Sequence, residues 1–336
     1  MKARWLIFAA PVAVFAVALY LWRTDFFAPP LDPAGKVAIA ASPTLSPALV
    51  FVARDRGFFA WAGVDATIKE YPTGKATTEA MLKGETDLSA STEFLAARLS
   101  FARKDLRLLG TTAFVHEMKL IGLKERGIVD PASLKGKRVG VKLGTNGEYF
   151  LARLLALHGM ERDDIAWVDL QPQAMADALD QDAVDAILVW PPFVQAISAR
   201  FAGRVAVFDG QPGQDYYYLI LARQDWLASH GKLAERVMLA LKRAETWMAE
   251  HPEEAEAYLV KKFAIDPAAK AEALDGYRYA VTLPQSLLAA LETESRWLEA
   301  QGNKGTRMAN ALDLIAFEPL QQAAPAAVTI VRGTPE

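Results

Sequence analysis

The most constraining feature of the sequence is an alternation of short strand-like runs and helix-like segments between residues 36 and 222. The first run, Lys36-Val-Ala-Ile-Ala-Ala41, is apolar and short enough for a buried strand, and Ala48 to Gly57 has helical spacing. The same order recurs in a second block that begins near Lys119. Repeated strand–helix units favour a parallel sheet with helices on both faces, because each helix carries the chain back to the next parallel strand. The sequence therefore predicts an α/β fold of two units, which can form two lobes around a cleft.

From Gln224 onward the sequence shows only helical patterns. Between Lys232 and Glu250 the apolar residues fall on one face, as in a helix that packs against a core. Proline is tolerated in the first turn of a helix, so three prolines mark the starts of further helices; they are Pro252, Pro267 and Pro284. We therefore expect a helical cap without strands, followed by a tail at residues 323–336.

The N-terminus carries a targeting pattern. Two basic residues precede an uncharged, apolar run from Trp5 to Trp22, which is about the minimum length for crossing a bilayer. Basic residues before the run suit an inside-to-outside orientation. A cleaved signal peptide is the alternative, because Ala16-Val-Ala18 resembles a cleavage site. We predict a membrane anchor or signal segment at residues 1–24 and a stiff, proline-containing spacer at residues 25–35, with the body outside the cytoplasm in either case.

Composition and motifs exclude several classes of function. The net charge of −3 gives no indication of nucleic-acid binding, and the absence of Cys excludes disulfides, Cys-based metal sites and thiol catalysis. The four histidines lack metal-ligand spacing, and there is no Walker loop, dinucleotide fingerprint or Gly-x-Ser-x-Gly elbow. The sequence therefore predicts no metal, no cofactor and no catalytic residue. Its 336 residues and 52% hydrophobic content suffice for two folded units.

The most informative loop is Gly144-Thr-Asn-Gly147, between a strand predicted at Arg138–Lys142 and a helix predicted at Glu148–His158. Its glycines permit backbone angles that other residues avoid, and Thr145 or Asn146 can cap the helix. A helix start after such a loop presents free backbone N–H groups and a positive dipole end. The loop can therefore hold a small polar or anionic ligand, although an ordinary strand-to-helix turn is the alternative.

Loops at the carboxyl ends of the predicted strands supply the candidate ligand-binding residues, because ligands of α/β sheets bind where strands end and helices begin. These residues are Ser42, Ser91, Thr92, Glu93, Gly144, Thr145, Asn146, Trp190, Tyr216 and Tyr217. Glu93 is either a partner for a ligand amine or a solvated carboxylate favoured by the helix dipole. Trp190 either faces the cleft or packs against the hinge. At most two of Tyr216, Tyr217 and Tyr218 share a face, because neighbouring residues of a strand alternate.

Five segments follow one another in a recognisable order and spacing. They are Ala53-Arg-Asp-Arg-Gly-Phe-Phe59 with Gly63-Val-Asp-Ala-Thr67 after it, Gly84-Glu-Thr-Asp-Leu-Ser-Ala90, Lys135-Gly-Lys-Arg-Val-Gly-Val-Lys-Leu-Gly-Thr145, Asp163-Asp-Ile-Ala-Trp-Val-Asp-Leu-Gln-Pro172 and Ala178-Leu-Asp-Gln-Asp-Ala-Val-Asp-Ala186. Together they resemble the nitrate/sulfonate/taurine group of solute-binding proteins of ABC transporters, a superfamily that includes a thiamine-pyrimidine-precursor branch. The resemblance covers roughly residues 36 to 320.

This resemblance implies a type II-like periplasmic-binding-protein fold with C-terminal helices and an N-terminal membrane helix. Lobe 1 would comprise residues 36–115 and 216–322, and lobe 2 residues 116–215. It implies a monomer that captures a small molecule between the lobes and delivers it to the permease and ATPase subunits of an ABC importer. The protein would lie on the periplasmic face of the inner membrane if the N-terminal segment is kept, or free in the periplasm if it is cleaved. Many members carry a lipid-modified cysteine, which this chain lacks.

The ligand and two rival functions stay open on the sequence alone. The candidate loops contain no obvious Arg, which slightly disfavours a strongly anionic ligand, because Arg is the usual bidentate partner of anions. Backbone N–H groups at helix starts can still hold an anion, so nitrate, sulfonates, small carboxylates and pyrimidine-type heterocycles all remain. One rival is a membrane-anchored solute sensor that signals through a partner. The other is an enzyme, since some enzymes of menaquinone and thiamine-pyrimidine biosynthesis share this fold.

Overall fold

The computed structural model describes residues 31–302 and 310–331. The anchor or signal segment predicted at residues 1–24 lies outside these ranges. Within them, no helix is both long enough and apolar enough to cross a bilayer. The described chain forms two β-sheets with helices packed around them, as the alternation of strand and helix patterns predicts. We call the part around the first sheet lobe 1 and the part around the second sheet lobe 2.

The sheet of lobe 1 has six strands. In chain order they are β1 (Gly35–Ala41), β2 (Val64–Glu70), β3 (Leu88–Thr92), β4 (Leu106–Val115), β10 (Tyr216–Arg223) and β11 (Tyr277–Tyr279). Their spatial order is β11–β4–β10–β3–β1–β2. β1 runs parallel to β2 and β3, whereas β10 runs antiparallel to β3 and β4. The sheet is therefore mixed rather than wholly parallel, because β10 returns from lobe 2 instead of following a crossover helix within lobe 1.

The sheet of lobe 2 has five strands, which are β5 (Lys119–Leu123), β6 (Arg138–Val141), β7 (Ala166–Asp169), β8 (Ala186–Val189) and β9 (Val205–Asp209). Their spatial order is β7–β6–β8–β5–β9, with β6 parallel to β7 and β8 and β5 antiparallel to β8 and β9. The chain passes between the sheets twice, through residues 116–118 and back through residues 210–215. These two segments form the hinge between the lobes.

Twelve α-helices surround the sheets in the described ranges. They are α1 (Ala48–Asp55), α2 (Phe58–Trp61), α3 (Gly74–Leu82), α4 (Glu93–Ser100), α5 (Asn146–Leu157), α6 (Met175–Asp180), α7 (Phe193–Arg200), α8 (Gln224–Glu250), α9 (Pro252–Lys262), α10 (Lys270–Leu274), α11 (Gln285–Ala300) and α12 (Phe317–Ala323). The long helix α8 packs against β4, α1 and α12. It approaches β4 so closely that a Cβ atom on Gly110 would lie 2.7 Å from the Met238 methyl carbon, which is why glycine suits this position.

The expectation of no strand after residue 224 is wrong. Strand β11 pairs with β4 through Tyr277 to Tyr279. Three residues are too few to show an alternating pattern in a sequence, so only the pairing with β4 reveals this strand.

Both ends of the described chain pack on lobe 1. Near the C-terminus, Leu283 donates its N–H to the carbonyl of Ala327 and accepts the N–H of Thr329, so part of the expected tail is joined to the fold. At the other end, Leu31 donates its N–H to Trp61 at 2.8 Å, within the expected spacer. The described end of the spacer is therefore bound to the body of lobe 1.

Candidate functional site

A narrow pocket, partly open to solvent, lies between the two lobes. Its walls come from the loop after β1, the first turns of α3, α4 and α5, the hinge, the residue after β8 and the start of β10. Six of the ten residues proposed from the sequence line it, namely Ser42, Thr92, Thr145, Asn146, Trp190 and Tyr216. The loops at the carboxyl ends of the strands thus come together, as the general rule for α/β sheets predicts.

Three helices point their N-termini at this pocket. Thr73 caps α3 by accepting the N–H of Ala76 at 3.2 Å, and Thr92 precedes α4. Thr145 caps α5 by accepting the N–H of Gly147 at 3.3 Å and donates its hydroxyl to the Lys142 carbonyl at 2.7 Å. Helix N-termini carry free N–H groups and a partial positive charge, so their convergence favours an anionic or hydrogen-bond-accepting group.

Two buried polar atoms at the pocket wall have no hydrogen-bond partner among the described residues. They are the side-chain Nδ2 of Asn146 and the hydroxyl Oγ1 of Thr92, and both residues are buried. Buried polar groups in folded proteins are nearly always hydrogen-bonded. Because these atoms belong to facing lobes, one ligand between the lobes can satisfy both.

A buried carboxylate, Glu117, lines the same pocket from the hinge. It accepts hydrogen bonds from the hydroxyls of Tyr216 and Tyr277, and from Ser46 at 3.3 Å. Burial raises the pKa of Glu117 to about 7, although these three hydroxyls act in the opposite direction. In the same wall, the hydroxyl oxygens of Tyr218 and Ser42 lie 3.0 Å apart and form a hydrogen bond.

Several of these residues were missed by the analysis of the sequence. Glu117 lies two residues after Val115, where β4 ends, so the rule that ligands bind at carboxyl ends of strands would have found it. Thr73 and Lys75 also line the pocket, and they lie where α3 begins, which is the kind of position that the same rule selects. Tyr277 had no local signal, because its strand is recognisable only from its pairing with β4.

Tyr217, proposed from the sequence, does not line the pocket. Its ring packs against Phe114 with centroids 4.9 Å apart, on the opposite face of β10 from Tyr216 and Tyr218. The alternation of side chains along the strand requires this separation, and Tyr218 takes the place expected for Tyr217.

Three more proposed residues support the pocket from behind its walls. The hydroxyl of Ser91 donates to the Gly74 carbonyl at 2.9 Å and accepts from Thr78, so it holds the first turn of α3. Gly144 has a left-handed φ of 77° and donates its N–H to a carboxylate oxygen of Glu148 at 2.7 Å. Glu93 is fully buried, so its reading as a solvated first-turn carboxylate is wrong.

Glu93 forms a buried acidic pair with Glu294 of α11. Oε1 of Glu93 accepts the N–H of Tyr217 at 2.9 Å, while Oε2 of Glu93 and both carboxyl oxygens of Glu294 have no partner among the described residues. Burial raises the pKa of Glu93 to about 8. Burial, followed by the neighbouring Glu93, raises the pKa of Glu294 well above its ordinary range. Two such carboxyls cannot both ionise without a large free-energy cost, so the pair retains a proton near neutral pH.

The two lobes contact each other beside the pocket. Arg98 of α4 lies 3.6 Å from a carboxylate oxygen of Glu148 of α5. Tyr149 of α5 packs against Phe94 and Trp297 of lobe 1, with ring centroids 5.9 and 5.6 Å away. The arrangement is therefore closed around the pocket, with α5 of lobe 2 seated against α4 and α11 of lobe 1.

A single buried side chain joins the two segments of the hinge. Gln211 accepts the N–H groups of Glu117 and Met118 at 3.1 and 3.3 Å through its Oε1 atom. Its Nε2 atom donates to the carbonyls of Val115 and Gln214 at 2.6 and 2.9 Å. Gln211 is fully buried, so all four contacts are made away from water. The amide therefore helps to fix the spacing of the two hinge segments, together with the bond from the Gly210 N–H to the Met118 carbonyl at 2.9 Å.

Comparisons with known proteins agree with this architecture. The chain resembles the alkanesulfonate-binding protein SsuA of Xanthomonas axonopodis pv. citri, solved with bound MOPS, with a TM-score of 0.72, 20% identity, and coverage of 85% of this chain and 99% of that one. It resembles the desulfurization enzyme DszB with a TM-score of 0.63, 15% identity, and coverage of 87% and 99%. It is 26% identical over 229 residues to a candidate aliphatic sulfonates-binding protein of Bacillus subtilis, which is 66% of this chain and 67% of that protein.

The described part of the chain has the two-lobed α/β fold of periplasmic binding proteins. The sequence model of the family described as NMT1/THI5 like matches residues 46–255, and the chain belongs to that family. The resemblance to sulfonate- and taurine-type binding proteins, predicted from the five sequence segments, is confirmed. Fold alone does not separate binding from catalysis, because DszB is an enzyme with the same fold.

Proposed function

We propose that this protein is an extracytoplasmic solute-binding protein that captures a small polar molecule between its lobes and delivers it to an ABC importer. The observation that carries the proposal is the interlobe pocket, at which three helix N-termini converge. Two buried polar atoms in its wall, Asn146 Nδ2 and Thr92 Oγ1, have no hydrogen-bond partner among the described residues. The binding proteins among its relatives support the same function. The ligand-contacting residues are proposed to be Ser42, Thr92, Thr145, Asn146, Trp190 and Tyr216, with Tyr218 and Lys75 added from the structure.

Closure of the lobes is the proposed mechanism. A ligand first contacts one lobe, and its contacts to the second lobe then stabilise the closed arrangement. Arg98 with Glu148, and Tyr149 with Phe94, are contacts between the lobes that would help to hold the closed arrangement. The permease and ATPase subunits would recognise the closed form, which distinguishes loaded from empty protein.

A ligand screen on the purified full-length protein tests this function. The panel holds nitrate, alkanesulfonates, aminosulfonates, small carboxylates, amino carboxylates and thiamine-related pyrimidines. The melting temperature of the protein is measured with and without each compound. A ligand at about 100 times its Kd adds roughly 2.7 kcal/mol to the free energy of unfolding, which gives a clear shift. The function as a carrier requires that the ligand be recovered unchanged after incubation. Chemical conversion would instead indicate an enzyme, and no shift with any compound would contradict solute binding.

Trp190→Ala is expected to weaken binding of any ligand found in this screen by about tenfold or more, since aromatic anchors in pockets are typical hot spots. Trp190 lines the pocket and is only partly buried, so the melting temperature without ligand should change little. The matched control is Trp167→Ala, at a half-buried tryptophan of β7 whose indole N–H donates to the Arg162 carbonyl away from the pocket. Calorimetric titration of both variants measures the difference. Unchanged affinity in Trp190→Ala would assign that ring to packing.

We propose further that residues 1–24 keep the protein at the periplasmic face of the inner membrane as a monomer. The support is the uncharged apolar run from Trp5 to Trp22 behind two basic residues. Expression of the full chain with a C-terminal tag, followed by fractionation, is expected to place the protein in the membrane fraction at its full mass of 36.7 kDa. A soluble periplasmic product about two kilodaltons smaller would mean that the segment is cleaved.

A further inference from the structure

We propose that Glu117 selects the ligand, and that the ligand is a small zwitterion with an anionic end and an ammonium end. The inference rests on the proposed function and concerns the same pocket. An anionic end would lie at the N-termini of α3, α4 and α5, and an ammonium end would lie against Glu117. Aminosulfonates and amino carboxylates have this chemistry, whereas nitrate and simple alkanesulfonates lack the ammonium group.

The first argument is the hydrogen-bonding capacity left on the carboxylate. A carboxylate offers about four acceptor positions. Oε1 of Glu117 accepts from Ser46 and Tyr216, and Oε2 accepts from Tyr277. One position on Oε2 is left, on a fully buried side chain that forms part of the pocket wall. A ligand N–H can fill that position.

The second argument is charge. A plain anion in this pocket would share a small, largely buried space with Glu117. The pKa of Glu117 is raised to about 7, so its carboxyl is partly ionised near neutral pH, and its ionised form would repel the anion at short range. Among the described lining residues the only fully charged cationic group is Lys75, which also lies 3.9 Å from Glu79 on its own helix. An ammonium group beside Glu117 removes this repulsion and balances the buried negative charge.

The third argument is the aromatic character of the walls. The rings of Trp190, Tyr216 and Tyr218 all line the pocket. Aromatic faces attract ammonium groups, and this attraction increases when the cation leaves water. Aromatic rings offer no such attraction to a plain sulfonate or nitrate, so the walls favour the same zwitterion that the carboxylate does.

Matched ligand pairs test the proposal on the full-length protein. Taurine is compared with propane-1-sulfonate, and β-alanine with butanoate, because each pair differs by the exchange of an ammonium for a methyl group. We expect the zwitterion of at least one pair to bind at least about tenfold more tightly than its partner, which corresponds to about 1.4 kcal/mol. Which pair responds tells whether the anionic end is a sulfonate or a carboxylate.

The variant Glu117→Gln then tests whether the carboxylate causes the tighter binding of the zwitterion. The amide has the same shape and can still bond the surrounding hydroxyls, so the variant should fold, which its melting temperature checks. We expect the affinity ratio within the responding pair to fall to about one. Glu272→Gln is the matched control, since Glu272 is an exposed acid beside the hinge that does not line this pocket; its ratio should not change.

The outcomes separate this proposal from the proposed function. If a plain anion binds as well as or better than its zwitterionic partner, the selection by Glu117 is wrong while solute binding stands. If Glu117→Gln weakens both members of a pair equally, Glu117 has only a structural role and the proposal is overturned. If neither these compounds nor any in the wider screen bind, the function as a solute-binding protein is contradicted as well.

Discussion

Replacement of Glu294 by glutamine is expected to stabilise the protein markedly at pH 8 and to change its stability little at pH 5. Glu294 and Glu93 are fully buried, and three of their four carboxyl oxygens have no partner among the described residues. An amide at position 294 carries no charge at any pH, so the folded protein no longer holds two neighbouring buried acids. The expected result therefore follows from the removal of a buried acid that has no partner.

The sign of the pH effect follows from the raised pKa values. Below the ordinary value of 4.5 the carboxyl of Glu93 is protonated in both the folded and the unfolded protein, so it places no penalty on folding. As the pH rises toward about 8, the unfolded chain ionises while the folded protein holds its proton. The free energy of unfolding of the natural protein should therefore fall between these values, and Glu117, with its pKa raised to about 7, adds to the same trend.

The expected gain for Glu294→Gln at pH 8 is about 1 to 3 kcal/mol, the usual cost of leaving a buried polar group without a partner. Thermal unfolding of the natural protein and the variant at both pH values measures it. Glu292→Gln is the control on the same helix, where an exposed side chain lies 3.9 Å from Arg296 and should contribute less than about 1 kcal/mol. Equal shifts at pH 5 and pH 8 would show that the pair does not titrate in this range.

Gln211→Ala is expected to lower the free energy of unfolding by about 3 to 5 kcal/mol, since buried backbone groups that lose their partners carry a large desolvation penalty. The truncation removes the acceptor for the N–H groups of Glu117 and Met118 and the donor for the carbonyls of Val115 and Gln214. All of these contacts lie at the hinge or at the adjoining end of β4. The variant should also bind ligand more weakly, because the bond from the Gly210 N–H to the Met118 carbonyl and the contact of His116 with Asp215 then hold the two hinge segments without the buried amide.

Urea unfolding of the apo protein measures the first effect, and calorimetric titration with the ligand from the screen measures the second. The control is Gln173→Ala, at an exposed glutamine of lobe 2, which should change stability by less than about 0.5 kcal/mol. A loss of less than about 1 kcal/mol in Gln211→Ala would mean that water replaces the amide without cost and that the hinge does not depend on this residue.

Local signals in the sequence predicted the elements that build the pocket. The Gly144–Gly147 loop, with Thr145 as the cap of α5, is readable because capping depends on residues next to each other in the chain. Because side chains alternate along β10, at most two of its three tyrosines can lie on one face of the sheet. Which face lines the pocket depends on how β10 pairs with β3 and β4, which the sequence does not show. Tyr217 was therefore assigned in place of Tyr218.

Contacts between distant segments account for what the sequence did not predict. Glu117 and Tyr277 are 160 positions apart, and Glu93 meets Glu294 only after α11 packs beside α4. No window of the sequence contains both members of either group. Buried acids in particular look like surface residues in a sequence, because acidic side chains are almost never fully buried without a partner.

The hinge has a consequence for the kinetics and entropy of ligand capture. Residues 116–118 and 210–215, joined by Gln211, connect two half-sites that face each other across the pocket. Once a solute has bound to one half-site, its encounter with the other is intramolecular, so the second half-site acts at a high effective concentration. Two connections rather than one also leave fewer relative orientations of the lobes to be lost on closure. A solute with only a few polar groups can therefore be held by contacts that would be too weak on either lobe alone.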